Sequence, residues 1–258
     1  MIDCVESIAR SLGDQLLQWR RSGAMVARTV GDQIKAEADG RAHDVLRNAL
    51  TRRWPHIPVI SEEDPESHST DARPRLYWLI DPIDGTASYC EGFDGFVTQV
   101  ALMRDGRPVL GVVYAPAFEE VWRAEEGAAA FKNGTPIRVA QRQTGKTLID
   151  NYPEPRGAAL EAFRKCGFTN YMESGSIGLK ICRVAEGSAD AFVKDVVVRD
   201  WDIAPGDLIL RCAGGCLSAY DGTAIAYSGS MEKNGLIAAA TADLRAELLQ
   251  CSARRGGH

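Results

Sequence analysis

The stretch WLIDPIDGTASY, residues 78–89, drives an apolar run straight into two aspartates three residues apart, Asp81 and Asp84. Carboxylates brought that close raise each other's pKa and repel unless a cation lies between them. Further acids also stand where a predicted element begins or ends. Glu62 and Glu63 close the run IPVISEED, Asp202 in RDWDIAPGD sits at the mouth of a helix, and Asp39 lies just before a helix predicted over 40–53. Strand ends gathered at one edge of a sheet would converge these carboxylates. An all-oxygen site without His or Cys suits a hard cation, Mg²⁺ or Mn²⁺, rather than zinc. Thr86 follows Gly85 where a helix or turn begins, and free backbone N–H groups there favour a phosphate. Carboxylates holding paired metals beside an anion-binding helix start are the layout of metal-assisted phosphoryl hydrolysis.

Each of these residues also has an ordinary explanation. Asp-Pro and Asp-Gly are common turn dipeptides. Asp202 fits as a plain N-cap for a helix beginning at Ile203, and Asp39 as a cap for the helix that follows it. The acids of SEED fit a solvated strand end. Taken singly these explanations stand; taken together they need several independent accidents, all falling at element ends.

The elements that must position the acids are read from periodicity. Ile2, Val5, Ile8, Leu12, Leu16 and Trp19 recur at helical spacing, predicting an amphipathic helix over 2–21. Val45, Leu46, Ala49 and Leu50 share one face of the helix over 40–53. IPVISEED reads as a short strand, SEEDPESHSTDARP as a loop, and 76–80 as the next strand. From 96 to 131, FVTQVALM, PVLGVVYAP, EEVWRAE and AAAFKNG read as an antiparallel meander turned at Asp105-Gly106 and Asn133-Gly134. After about residue 146 the pattern becomes α/β. TLIDNY and ADAFV read as strands, and 157–166, GSIGLKICRVAEG and IAPGDLILRCAGG as helices. The expected organisation is an N-terminal antiparallel-sheet lobe over 1–145 and a C-terminal α/β lobe over 146–258, packed as one continuous catalytic unit.

Composition narrows the partners. The chain has 258 residues, 45% of them hydrophobic and 25% charged, with a net charge of −5 and no basic run. Sequence-independent binding to a nucleic-acid polymer or an anionic membrane is therefore not expected. No segment approaches the ~20 apolar residues of a membrane span, and MIDCVESIARSLGDQ lacks the order of a signal peptide. The seven cysteines are odd in number and scattered, with Cys212 and Cys216 four apart on a predicted helix. None of the four histidines is spaced to complete a zinc site. Reduced structural thiols in the cytoplasm are the expectation.

DPIDGT, preceded by SEED and followed far downstream by WDIAPGD, resembles the inositol monophosphatase superfamily, metal-dependent and lithium-sensitive phosphomonoesterases with a layered α-β-α-β-α fold. The resemblance runs from Asp39 to Gly215. It implies that Glu62, Asp81 and the main-chain oxygen of Ile83 bind one Mg²⁺, while Asp81, Asp84 and Asp202 bind a second, with two or three cations per site, Mn²⁺ as a substitute and Li⁺ inhibitory. Thr86, with Glu62 or Asp39, would orient the attacking water, and the backbone at Gly85 and Thr86 would hold the phosphate. The family usually carries a threonine three residues before the position of Asp39, where this chain has Ala36. A homodimer is a family expectation.

PVISEEDP and GSIGLKICRVAEGSADAFV resemble the bacterial 3′(2′),5′-bisphosphate nucleotidase branch, as does the spacing from Thr86 to TQVAL. Gly175, Ser176, Lys194 and Asp195 are the residues this places on the substrate side. Lys194 stands where such nucleotidases place a basic residue near the second phosphate. Asp195, seven residues before Asp202, stands where inositol monophosphatases carry an acid for substrate hydroxyls. Ala87-Ser88-Tyr89 departs from the basic and acidic pair of many bacterial nucleotidases. The expected substrate is a small phosphorylated metabolite: 3′-phosphoadenosine 5′-phosphate first, an inositol or other sugar-alcohol phosphate second. A silent metal- and phosphate-binding regulator is the third reading, and the intact acidic set argues against it.

Overall fold

Val5, Leu12, Leu16 and Trp19, spaced as predicted, form with Ala9 the buried stripe of the first helix, α1 (Ile2–Ser22), while Ile2 and Ile8 of the predicted face are only partly buried. The computed structural model describes residues 1–22, 27–30, 33–68 and 73–253; positions 69–72 of the predicted loop and 254–258 of the predicted C-terminal lobe lie outside them. A hairpin, β1 (Ala27–Val30) and β2 (Gln33–Ala36), leads into α2 (Glu37–Arg53). Then come β3 (Val59–Ser61), a 3-10 turn at Pro65–His68, β4 (Leu76–Asp84) and the short helix α3 (Thr86–Glu91). The meander follows as β5 (Val97–Arg104), β6 (Arg107–Ala115), β7 (Glu120–Glu125), β8 (Ala130–Lys132) and β9 (Thr135–Ile137). The second half is β10 (Lys146–Asp150), α4 (Gly157–Lys165), β11 (Phe168–Glu173), α5 (Ile177–Ala185), β12 (Ala191–Arg199), α6 (Asp200–Cys212), β13 (Cys216–Ala219), β14 (Glu232–Ala239) and α7 (Ala242–Ala253). Among the described residues no helix is long and apolar enough to cross a membrane.

β3 to β9 lie in sequence order in a seven-stranded sheet, antiparallel except for the parallel pair β3–β4. The second sheet has five strands in the order β11-β10-β12-β14-β13, with β10 parallel to both neighbours. Period-2 alternation sends each strand's side chains into two different cores. Trp78, Ile80, Val100, Leu102, Val112 and Tyr114 pack with α1 and α2 on one face. Tyr77, Leu79, Ala101, Met103 and Val113 face the other way, into a core shared with α5, α6 and the inner residues Phe192, Val198, Leu236 and Ala238 of the second sheet. Val193, Ile237 and Ala239 point outward from that sheet onto α4 and α7. The result is the layered α-β-α-β-α fold, with α5 and α6 between the two sheets.

Three boundaries differ from the expectation, and all bear on the acids. α2 begins at Glu37, so Asp39 lies inside its first turn rather than ahead of it. α6 begins at Asp200, so Asp202 is its third residue and not the cap of a helix starting at Ile203. β4 continues beyond Ile80 to Asp84, with a register break between Asp81 and Asp84 in its pairing with β5. Pro82 has no N–H to give a ladder, and the irregularity around it swings the acids out of regular alternation. Cys212 closes α6 while Cys216 opens β13, so the two do not share a helix.

Candidate active site

The parallel pairing of β3 with β4 sets Ser61 opposite Ile80, so the next residues, Glu62 and Asp81, emerge side by side. The backbone N–H of Glu62 donates to the Ile80 carbonyl at 3.3 Å and holds that exit. The first turn of α6 brings Asp202 to the same point. Glu62, Asp81 and Asp202 each offer an oxygen, and these atoms lie within 4.8 Å of one another. Asp202 Oδ2 accepts from the backbone N–H of Arg199, the residue that precedes the helix, at 2.7 Å, which fixes its rotamer. Asp81 Oδ1 accepts from the Ile83 amide at 3.1 Å, while its buried Oδ2 has no hydrogen-bond partner. Burial first, and the neighbouring carboxylates second, hold Asp81 and Asp202 well above the usual range. Glu62 is pushed up to about 7 by burial, with the charges of Glu63 and Asp84 adding to it. A divalent cation would relieve all three. The unpartnered Asp81 oxygen and the purely carboxylate donor set both fit Mg²⁺.

Asp84 is placed differently. Its Oδ2 accepts from the Gly178 amide at 2.7 Å and from Gln99 Nε2 at 3.0 Å, and its Oδ1 from the Ile177 amide at 3.4 Å. It therefore sits against the opening turn of α5, outside the trio whose oxygens converge. Gln99 Nε2 also donates to the Asp202 carbonyl at 3.2 Å, so one amide ties the Asp84 carboxylate to the Asp202 backbone. Thr86 Oγ1 lies 3.3 Å from Asp39 Oδ1 and 3.2 Å from the Ile83 carbonyl, with its hydroxyl able to donate to either. Gly85 takes φ 91°, a left-handed conformation that glycine adopts without strain, and a Cβ there would lie 3.2 Å from Ser176 Cβ. Gly175 packs closer still, since a Cβ on it would meet the Gly95 carbonyl oxygen. Ser176 caps α5, its Oγ accepting from the Leu179 amide at 3.1 Å.

Lys180, Asn151, His43 and His68 were not singled out from the sequence, whereas Lys194 and Asp195 were. Lys180 is wholly buried and donates to Asn151 Oδ1 at 2.7 Å and to the Gly175 carbonyl. Burial pushes its ammonium down to about 7, against the pull of the Asp84 charge. Lys194 Nζ reaches the same Asn151 Oδ1 at 3.5 Å and Asp150 Oδ1 at 3.9 Å, so Asn151 bridges two lysines. Asp195 lies beside Lys194 on an exposed irregularity of β12, not at the strand's end. A lysine inside the apolar run IGLKICRVA was the available signal for Lys180. Behind Glu62, Ser61 is held by His43 Nδ1 at 2.8 Å from its Oγ and by His68 Nε2 at 2.6 Å from its carbonyl.

Three carboxylates whose oxygens converge, Asp81 buried and Glu62 and Asp202 half-buried, call for a hard divalent cation, and a cation so held polarises a phosphate ester. That is the chemistry of a metal-dependent phosphatase, a hydrolase. Residues 2–255 match the family model described as "Inositol monophosphatase family". The 3′(2′),5′-bisphosphate nucleotidase CysQ of Escherichia coli O6:H1 is 31% identical over 88% of this chain and 94% of its own. The inositol-1-monophosphatase of Mesorhizobium japonicum is 31% identical over 95% and 90%. In structure, the extragenic suppressor protein suhB of Bartonella henselae superposes with a TM-score of 0.83, covering 97% of each chain at 25% identity. The chain belongs to the inositol monophosphatase family of Mg²⁺-dependent phosphatases.

Proposed function

We propose that this phosphatase removes the 3′-phosphate of 3′-phosphoadenosine 5′-phosphate, releasing AMP and phosphate. The observation that carries the reading is the accessible Lys194, whose Nζ lies 3.5 Å from Asn151 Oδ1 and 3.9 Å from Asp150 Oδ1, with the buried Lys180 holding Asn151 from behind. A substrate with one phosphate needs no second cationic site, whereas a bisphosphorylated nucleoside brings a second dianion that the Lys194 ammonium can meet. The likeness to CysQ nucleotidases supports the same choice.

In this reading Glu62, Asp81 and the Ile83 carbonyl would hold one Mg²⁺, and Asp81, Asp84 and Asp202 would hold another. Bound there, the cations supply Lewis acidity toward the phosphoryl oxygens and make a water easier to deprotonate. The chain's own groups do the positioning. The Thr86 hydroxyl, set between Asp39 and the Ile83 carbonyl, orients the attacking water together with Glu62. The backbone at Gly85 and Thr86 faces the phosphate, and Gly175 and Ser176 form the wall beside it. Lobe 1–145 supplies all of this except Asp202, Gly175, Ser176 and the two lysines, which the second lobe contributes, so the lobes work as one unit.

The runner-up is an inositol or sugar-alcohol phosphate. The exposed carboxylate of Asp195 next to Lys194 supports it as an acceptor for substrate hydroxyls. Phosphate release with Mg²⁺ from 3′-phosphoadenosine 5′-phosphate and from inositol 1-phosphate decides between them. A higher kcat/KM on the nucleotide is expected, and preference for the inositol ester reverses the assignment.

A further inference from the structure

Cys166 follows α4 and Cys251 lies on α7, 85 residues later, yet their Sγ atoms are 2.7 Å apart. A covalent S–S bond needs about 2.05 Å. Among the described residues no other pair of the seven cysteines comes within hydrogen-bond distance. The two sulfurs line one cleft of about 550 Å³ with Lys146, Lys165 and Glu247. Cys166 is buried, at 5% exposure, and its thiol donates to the Glu247 carbonyl at 3.8 Å. Cys251 is half-exposed to the same cleft. Lys146 Nζ pairs with Glu247 Oε2 at 2.9 Å beside the two sulfurs.

We propose that Cys166 and Cys251 form a redox-modifiable dithiol, closed to an intramolecular disulfide by a hydroperoxide. The Cys251 thiolate attacks a peroxide oxygen; the O–O bond breaks and hydroxide leaves, taking a proton to become water. Cys251 is then a sulfenic acid. Cys166 Sγ attacks that sulfur, the S–O bond breaks, and the departing hydroxide takes the Cys166 proton as a second water. Two thiols lose two electrons in all, and hydrogen peroxide gains them. The order follows from access, since burial and then Cys251 itself push the Cys166 thiol up to about 12, leaving Cys251 as the attacking partner.

The crosslink would staple α7 to the start of β11. That is the end of the sheet opposite to Ser174–Ser176, which follow β11 and pack at the active site. It should therefore raise stability and leave phosphatase activity in place. In the test, the full chain is treated with hydrogen peroxide or with dithiothreitol and mapped by non-reducing peptide mass spectrometry. A Cys166–Cys251 linked peptide and the loss of two of the seven thiols are expected. Tm should rise by roughly 5 °C or more on oxidation, as a loop of this length allows. Cys251→Ser, altered at the half-exposed partner, should fold and show neither the peptide nor the rise. Cys166→Ser provides the same check from the buried side. All seven thiols surviving, a different pairing, or Cys251 advancing to sulfinic acid with no crosslink would each overturn the proposal.

Discussion

Asp84 serves two masters: the proposed second cation, and the opening amides of α5, which it accepts from Gly178 and Ile177. Asp84→Asn keeps an acceptor for those amides but loses the charge a cation requires. The fold should survive, by circular dichroism, while Mg²⁺-dependent turnover disappears; a wild-type rate would remove Asp84 from the ligand set. Thr86→Ala takes away the hydroxyl beside Asp39 and the Ile83 carbonyl. Its kcat should fall by ~10²-fold or more with KM little changed, as when a group that positions the nucleophile is lost. A large KM rise at constant kcat would make Thr86 a binding residue instead. Lys194 stands farther out. Lys194→Ala should raise KM for 3′-phosphoadenosine 5′-phosphate by ~10-fold at unchanged kcat, since a contact remote from the reacting atom is equally strong in ground and transition states. Steady-state kinetics on both candidate substrates checks it, and a silent Lys194→Ala beside a crippled Asp195→Ala on the inositol ester favours the runner-up. At this scale the convergence of Glu62, Asp81 and Asp202 was legible because three acids stood together at the ends of separate predicted elements. Lys180 was not, because its meaning depends on Asn151, which only the folded chain brings to it.

Elements hold these residues through close approaches that a sequence does not display. A Cβ on Gly111 of β6 would lie 2.7 Å from the Pro205 carbonyl of α6, the helix whose first turn carries Asp202. Gly111→Ala must push α6 outward or distort β6, an overpacking change that costs about 1–3 kcal/mol. Tm should drop by roughly 2–10 °C, and kcat should fall with it if the helix carries Asp202 away from Glu62 and Asp81. Thermal melting alongside Mg²⁺-dependent turnover separates the two effects, and an unaltered Tm would show that the contact relaxes freely. The meander was legible because its turns are chemically specific. Asp105-Gly106 and Asn133-Gly134 all take positive φ, between 47° and 78°, as tight hairpins require. β11 and β13 were not legible. They are the two edges of the second sheet, short and half-exposed, and their sequences lack the clean alternation that a covered face imposes.

Across the whole molecule, patterning told which face of an element is apolar but not which element covers it, so the placing of α5 and α6 between two sheets emerges only from the three cores. That central layer also explains why so much acid is buried at its edge, and it gives the protein a distinctive response to pH. In the cation-free protein Glu62 titrates near 7 instead of 4.5, so over that interval the folded state keeps a proton that the unfolded chain has released. Its contribution to stability is therefore full below about pH 4.5 and is lost as pH rises through about 7. Asp81 and Asp202 are shifted in the same direction and deepen the loss. Lys180 acts in another window. Below about 7 it is charged in both states and adds nothing to the slope, while between about 7 and 10.5 its neutral folded form lets stability recover as pH rises. Chelator-treated protein should thus melt at progressively lower temperature from about pH 5 to about pH 7, and level off or recover above that. Saturating Mg²⁺ replaces the protons on the acidic centre, so its stabilisation should be small at the acid end and grow toward neutrality. Melting curves with chelator and with Mg²⁺ across this range provide the measurement. Glu62→Gln, which keeps the side chain but cannot ionise, should flatten the chelator curve; a Glu62→Gln profile parallel to wild type would place the titrating group elsewhere than Glu62.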